Sequence, residues 1–503
     1  MKTIQIILWL VFFTWNLSAQ ITFSISHPAS PDTADGGLGV VIMSDGYLIG
    51  CGTVNRQNGL EYSALLKIDW EGEYLWSNSY YWEPYQPDIA YDNPVVLASD
   101  KVYMACQTES DSTRKNFQLF CLNLDGDTLW SRIYVKPFDD LALGMMRLSD
   151  STLLIYGSEG KSEVLNVARI LKVDLDGNVI WDKSYGDEFG RSILRDVKEL
   201  PDSSLILASV ICHYGSNCLL QRYATLTKVD KDGNKLWTKT YNKSESFNKA
   251  LVLPLDNGGY ALAWTRDTFH WSVDPYPPVI YFLDSLGNVE SEYDGFVRPG
   301  NYYMTKLKRM TNGDMLGVGI TLDFSDGETY GGWLFRLTQQ GELIWERRIS
   351  DRRYPDLFGQ FYDAIETPDG GIIAVGDIYT NDFQNLEAWI VKLDGEGCMV
   401  PGCTADSVFI TSASETKEKL ASVFEIYPNP AKGYFDFSAT YLPLTENVFL
   451  EISDVSGRLC SVVKIESHRQ VISTEKLGAG LYIVALKSNH GLLGHRKILV
   501  LKE

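Results

Sequence analysis

The sequence predicts an all-β chain of repeated sheets with a smaller β module behind it, and three observations carry that prediction. First, an acidic or amide residue, a Gly three positions on and a Trp four beyond recur as Asp69/Gly72/Trp76, Asn123/Gly126/Trp130, Asp174/Gly177/Trp181 and Asp230/Gly233/Trp237. Weaker copies stand at Asp284/Gly287, where Ser291 replaces the Trp, at Thr338/Gly341/Trp345, and at Asp394/Gly397 without a Trp. The seven glycines are 54, 51, 56, 54, 54 and 56 residues apart, and a fixed period of this size marks a repeat architecture. Second, a turn element lies upstream of every glycine, among them Ser44-Asp-Gly46, Asp256-Asn-Gly258, Thr311-Asn-Gly313 and Pro368-Asp-Gly-Gly371; Asp-Gly and Asn-Gly tolerate the positive φ of tight hairpins. Third, the runs between turns are short and β-rich, such as Leu205–Ile211 and Ile170–Asp174, with no apolar period of 3.6.

Each repeat therefore reads as a four-stranded meander A-B-C-D with tight A–B and C–D turns. Seven such meanders describe a seven-bladed β-propeller. The last repeat runs from Asp394-Gly-Glu-Gly397 into Cys398-Met-Val-Pro-Gly-Cys403 and lacks a D strand, while residues 21–26 form a spare alternating strand at the other end. Pairing the two closes the ring and removes an exposed edge. In each motif the Gly takes the left-handed turn position, and the Trp is expected to lie flat between adjacent blades. The Asp-x-Asp-Gly turns lack the Glu that a calcium loop needs six residues past its Gly, where Arg132, Lys183 and Lys239 stand instead, so hairpin turns are preferred to ion sites.

Of 65 acidic and 45 basic side chains in 503 residues, the stretch 424–503 holds 8 and 9, so the first 423 residues carry 57 against 36. An acidic field of that size argues against a nucleic-acid partner. Residues 1–19 carry Lys2, a short apolar run over 4–13 and a small-residue pair Ser18-Ala19, the pattern of a secretory signal peptide. No later run is long enough for a transmembrane helix.

Eight cysteines in an exported chain invite pairing. The candidate disulfides are Cys212/Cys218 and Cys398/Cys403, which close small loops, and Cys106/Cys121, placed symmetrically about residues 111–115; Cys51 and Cys460 have no evident partner. Zinc is the competing reading, disfavoured because no Cys-x-x-Cys meets a second one. No cofactor, metal or catalytic residue is assigned: there is no Gly-x-Ser-x-Gly and no phosphate-binding Gly loop, and His213 and His270 read as surface residues rather than bases. The long B–C and D–A loops share one face, where binding residues usually sit. Trp82, Tyr85, Trp271 and Tyr276 are the candidate ligand-binding residues there, able to stack sugar rings or grip a peptide, or else to pack onto their own loops with the prolines.

The repeat resembles the tryptophan-docking repeat of quinoprotein-type propellers. That likeness covers the blades and not the active site, since those dehydrogenases use eight blades and a vicinal cysteine pair, and no Cys-Cys occurs here. Beyond a polar linker at 404–423, residues 424–503 read as about seven short strands, a small immunoglobulin-like β-sandwich. Tyr427-Pro428-Asn429-Pro430, Asp454 with Gly457, Gly480 with Tyr482, and Lys497 resemble in order the type A C-terminal sorting domain of the type IX secretion system of Bacteroidetes. The resemblance implies export across the outer membrane, engagement of the type IX machinery and its sortase, removal of the module, and release or attachment at the cell surface. Residues 20–403 then read as a secreted or surface binding module for glycan or protein; the alternative is an extracellular polysaccharide or peptide hydrolase or lyase with its site on the loop face.

Overall fold

The computed structural model describes residues 20–27, 33–55, 61–80, 87–90, 94–110, 114–162, 165–186, 190–213, 222–241, 247–266, 278–296, 301–322, 331–351, 358–380, 385–400, 402–403, 407–410, 424–439, 448–454, 458–465, 467, 469–488 and 491–502. Every regular element among them is a β-strand. Among the described residues seven sheets, antiparallel apart from one added strand, precede the C-terminal module. In chain order their first strands are Thr33–Met43, Val95–Ala98 (with Pro87–Ile89), Asp140–Arg147, Gly190–Glu199, Phe247–Pro254, Asn301–Arg309 and Gly359–Glu366, and we number the sheets 1 to 7 accordingly. Each continues through B and C strands to a D strand, as in sheet 3 with Leu153–Gly160, Asn166–Val173 and Val179–Tyr185.

The D strand of sheet 7 comes from the other end of the chain: Phe23–His27 pairs antiparallel with Asn385–Leu393, Phe23 opposite Lys392. Contacts between first strands run from each sheet to the next, and Gly359–Glu366 touches Thr33–Met43, so the contacts form a cycle. Each seam holds its own apolar cluster. One joins Phe23, Ile25 and Ile373 of sheet 7 to Tyr47 and Leu66 of sheet 1; another joins Tyr156 and Ile170 of sheet 3 to Leu205 and Leu207 of sheet 4. The sheets resemble propeller blades. First strands carry register shifts, for example between Leu194 and Asp196 and between Phe361 and Asp363. Next to these bulges Asp196 and Asp363 accept the backbone N–H of Val252 and Val40 in the following sheet, at 3.1 and 3.2 Å.

The recurring motif now has a mechanism. All seven glycines have φ between +73° and +88°, a region costly for other residues. The side-chain oxygen of the residue three before each Gly accepts two N–H groups of its own turn, two and four positions on, at 2.7–3.3 Å. That is why Asp, Asn and Thr serve equally: the turn needs an acceptor, not a charge. The aromatic ring docks on the glycine of the next sheet. A Cβ on Gly126, Gly177, Gly233, Gly287 and Gly397 would stand 2.8–3.3 Å from the rings of Trp76, Trp130, Trp181, Trp237 and Trp345. On Gly72 it would meet Phe23 at 2.9 Å, so the N-terminal strand supplies the ring that the seventh motif lacks. Four residues beyond the first four Trp, Tyr80, Tyr134, Tyr185 and Tyr241 donate their hydroxyls to the carbonyls of those same next-sheet glycines at 2.7–2.9 Å.

Two expectations change. Cys106 and Cys121 are not bridged. Ser110 pairs with Arg114, which centres the hairpin on 112, so Cys106 faces Gln118 and Cys121 faces Tyr103. The two sulfurs sit on opposite sides of the sheet, Cys106 in the core shared with sheet 1 and Cys121 in the core shared with sheet 3. Within the expected linker, Ser407–Ile410 is a strand that adds in parallel to the outer strand of sheet 6, Leu343–Asp351. Cys398–Cys403 is bonded. Cys212 is disulfide-bonded as well, while Cys218 and residues 1–19 lie outside the described residues.

The C-terminal module has seven strands in one hydrogen-bonded path. Its strand Glu425–Lys432 pairs antiparallel with Tyr434–Ser438 at one end and parallel with Gly491–Leu501 at the other. Pro428 and Pro430 lie at the changeover, where their missing N–H groups would break a single continuous ladder. The two arms fold onto one core, with Phe435 and Phe437 meeting Leu450, Val484 and Ile498.

Candidate binding cleft at the fifth repeat

A second repeating device holds the A–B turns. The C-strand cation two residues before each C–D turn pairs with the A–B turn Asp of its own sheet: Lys67–Asp45 at 2.9 Å, Lys172–Asp150 at 2.7 Å, Lys228–Asp202 at 3.4 Å, Arg336–Asp314 at 2.7 Å and Lys392–Asp369 at 3.0 Å. The cations are mostly buried and the carboxylates, Asp314 apart, about half-exposed, so each pair ties a turn to its sheet. Against burial, Lys172 holds Asp150 below the usual carboxylate range; the Ser204 hydroxyl does so for Asp202, and, against burial, the Thr367 hydroxyl with Lys392 for Asp369. Cys121 and Phe282 occupy this position in sheets 2 and 5.

Sheet 5 thus departs from the repeat twice, with Phe282 for the cation and Ser291 for the Trp. In the sheet 5 turn the position that a cation grips in sheets 3, 4 and 7 holds Asn257, and Asp256, one residue earlier, engages sheet 6. It accepts from Arg309 and from Gln339 Nε2 (2.6 Å), and its own N–H donates to Gln339 Oε1 (2.7 Å). Arg309 and Gln339 hold its carboxyl below the usual range. Without a Trp, the Phe282 ring moves to the glycine of sheet 6, 2.9 Å from where a Gly341 Cβ would be. A six-membered ring does not fill an indole's place, and a cavity of about 420 Å³ remains, lined by Asp256, Asn257, Phe282, Glu290, Ser291, Asn312, Asp314, Gln339 and Gln340. A second cavity, about 750 Å³, opens on the other side of the same turn, between sheets 4 and 5, lined by Lys198, Glu199, Asp202, Lys228, Tyr260 and Arg309 among others. Its charges are largely consumed: Glu199 accepts from the N–H and hydroxyl of Ser149, both at 2.7 Å, and Lys228 meets Asp202.

Among the described residues, the carboxyls pushed up to about 7 lie elsewhere. Burial raises Asp140, against the Arg169 guanidinium that bonds it. Arg169 also holds Asp182 at 2.8 Å and lies over the Phe117 ring at 4.4 Å, while neighbouring Glu159 is bound by Lys161 and Ser184 and held low. Burial likewise raises Asp377, opposed by hydrogen bonds from Gln360 and Tyr362, both at 3.1 Å. A neutral acid beside an ionised partner is the pattern of acid–base catalysis, yet the Asp140 side chain is 0% exposed and Asp377 4%. No substrate reaches either carboxyl; both act as seam residues.

Trp82, Tyr85, Trp271, Tyr276 and His270 lie outside the described residues, as does Gly457. Of the sorting residues, Tyr427 is 75% exposed and Tyr482 is buried, its hydroxyl donating to Gly478 O at 3.1 Å. Lys497 lies opposite Ile483 in the ladder with Gly480–Ser488. Asp454 accepts the N–H of Arg458 across the 455–457 turn at 3.1 Å. No group of three or more metal-ligating side chains gathers among the described residues, and no described helix is long and apolar enough to cross a membrane.

Residues 425–501 match the family of the secretion system C-terminal sorting domain. This tail implies contact with the type IX machinery and secretion by it, and marks a secreted or outer-membrane surface protein. No curated protein matches the chain. Among solved structures the chain is similar to PorZ, a surface component of the type IX secretion system of Porphyromonas gingivalis, at 11% identity and TM-score 0.37, covering 92% of this chain and 70% of that one. It is also similar to puromycin hydrolase, at 14% identity and TM-score 0.47 over 73% and 52% of the two chains. Likeness to the polysaccharide lyase Uly1 is 9% identity and TM-score 0.42 over 76% and 94%. At these values none of the three bears on activity.

Proposed function

We propose that the chain is a secreted or surface-attached seven-bladed propeller that binds a glycan or a protein, delivered by a removable immunoglobulin-like sorting module at 424–503. Three features support the ring: the cycle of first-strand contacts, the strand Phe23–His27 completing sheet 7, and an aromatic ring docked on the glycine of each following sheet. The ring-on-glycine joint also supports kinship of these blades with the tryptophan-docking repeat.

One observation favours binding over hydrolysis. The described carboxyls with proton affinities near neutrality are sealed in seams, while the accessible cavities are lined by paired charges, amides and hydroxyls. Such walls recognise without transferring protons. A glycan and peptide array probed with the secreted protein, followed by assays for product release, tests this: retention without turnover is expected, and release of shortened glycan or peptide contradicts it. Removal of residues 424–503 is expected to leave the protein inside the outer membrane, read by surface labelling; normal display of that truncation contradicts the export assignment.

A further inference from the structure

We propose that the cleft between sheets 5 and 6 is a sugar-binding site for a neutral or amino hexose unit of a glycan; this rests on the binding reading above and names its place and ligand class. The cleft exists because Ser291 stands where five other repeats have a Trp on the D strand, and its volume of about 420 Å³ falls within the range of small-molecule clefts, roughly 300–1,000 Å³. Its walls sort by what remains available. Asp256, Gln339 and Asp314 are engaged: Asp256 by Arg309 and Gln339, Asp314 by Arg336 and by the Asn312 amide at 2.7 Å. Glu290, Ser291 and Gln340 are exposed and make no side-chain hydrogen bond to another described residue.

A free carboxylate, a hydroxyl and a primary amide side by side offer paired donors and acceptors of the kind that vicinal hydroxyls need. Both guanidinium groups at the cleft are neutralised by Asp256 and Asp314, so among the described lining residues no unpaired cation is left for a carboxylate or sulfate, and Glu290 repels one. Uronate and sulfated sugars are therefore excluded, whereas neutral sugars and those bearing an amine fit. The same free carboxylate could hold a lysine side chain, but the amide and the hydroxyl would then go unused, which is why sugar is preferred to a basic peptide.

The test uses the full secreted chain and a panel of neutral, amino-sugar and uronate oligosaccharides together with lysine-rich peptides, read by array and calorimetry. Wild type is expected to bind a neutral or amino-sugar oligosaccharide and not uronates. Ser291→Trp, which restores the repeat and fills the cleft, is expected to weaken that binding about tenfold or more with the melting temperature kept. If Ser291→Trp does not fold, Glu290→Gln and Gln340→Ala decide, since both side chains are exposed and bond no other described side chain; each is expected to weaken binding severalfold. Glycan binding untouched by these variants overturns the site while leaving the binding reading in place. Binding of lysine peptides that Ser291→Trp abolishes, with no sugar bound, overturns the ligand class. No binding to either array overturns the site and the parent reading together.

Discussion

The seams on either side of sheet 5 both hold a cavity, about 750 Å³ between sheets 4 and 5 and about 420 Å³ between sheets 5 and 6, but differ in two side chains. Between sheets 4 and 5, Trp237 covers Gly287, Tyr241 donates to the Gly287 carbonyl at 2.9 Å, and Lys228 holds its own turn through Asp202. Between sheets 5 and 6, Ser291 and Phe282 stand in for Trp and cation, a turn acid crosses to the next sheet, and a polar cleft remains. The backbone turn is the same in both, with φ +78° at Gly287 and +87° at Gly341. The repeat therefore separates its tasks: glycine and acceptor build the C–D turn, the ring docks on the next sheet, and the cation ties the A–B turn to its own sheet. The docked Trp and the cation can both be given up in one repeat without losing the sheet.

The largest effect should come from removing a docked Trp. Trp237→Ala is expected to cost about 2–4 kcal/mol in urea unfolding, somewhat below the range for a fully buried aromatic, because Trp237 is only partly buried against its cluster. A cost under about 1 kcal/mol would show that the ring does not hold the seam. Next is a charge sealed in the seam between sheets 7 and 1. Burial raises Asp377 from 3.8 to about 7, so the folded protein holds its proton more tightly than the unfolded chain. That contribution is fully present below about pH 4 and is lost as pH rises through about 7. At about 1.4 kcal/mol per unit, Asp377→Asn is expected to gain a few kcal/mol relative to wild type between pH 4 and 7.5. A pH-independent difference in melting curves would place the titration elsewhere.

Smaller effects sharpen the contrast. Tyr241→Phe removes one inter-sheet hydrogen bond and is expected to cost about 1 kcal/mol, measured by the same unfolding. Asp256→Asn, at the seam without a docked Trp and 64% exposed, is expected to leave the melting temperature unchanged within error. If the two swap order, the seam without a docked Trp carries more of the fold than its geometry indicates.

Much of the frame was legible because it repeats: seven glycines at a near-constant period announce seven turns, and the missing seventh Trp points to the N-terminal strand. The cation–turn pairs were missed although Lys67, Lys172, Lys228, Arg336 and Lys392 all stand two residues before the turn acceptor. Inside short β-rich runs a lysine reads as a solvent-facing position, and only three dimensions bring the A–B turn beneath it. Ser291 marked the fifth repeat as irregular from sequence, but the cleft needed Phe282 as well, and a Phe in an apolar strand attracts no notice. The Cys106/Cys121 pairing failed for a local reason: symmetry about residues 111–115 fixes spacing but not register, and a hairpin centred on 112 puts the two sulfurs on opposite faces. The aromatic loops carried no period, so nothing in the sequence said where their side chains point.

Amide hydrogen exchange along the D strands tests whether the fifth repeat, which lacks a docked Trp, holds its D strand less firmly than its neighbours do. Slow exchange is expected for Val179–Tyr185 and Lys235–Tyr241, whose rings dock on the next sheet, and exchange about tenfold faster for Val289–Tyr293. Equal protection of all three strands would contradict the account.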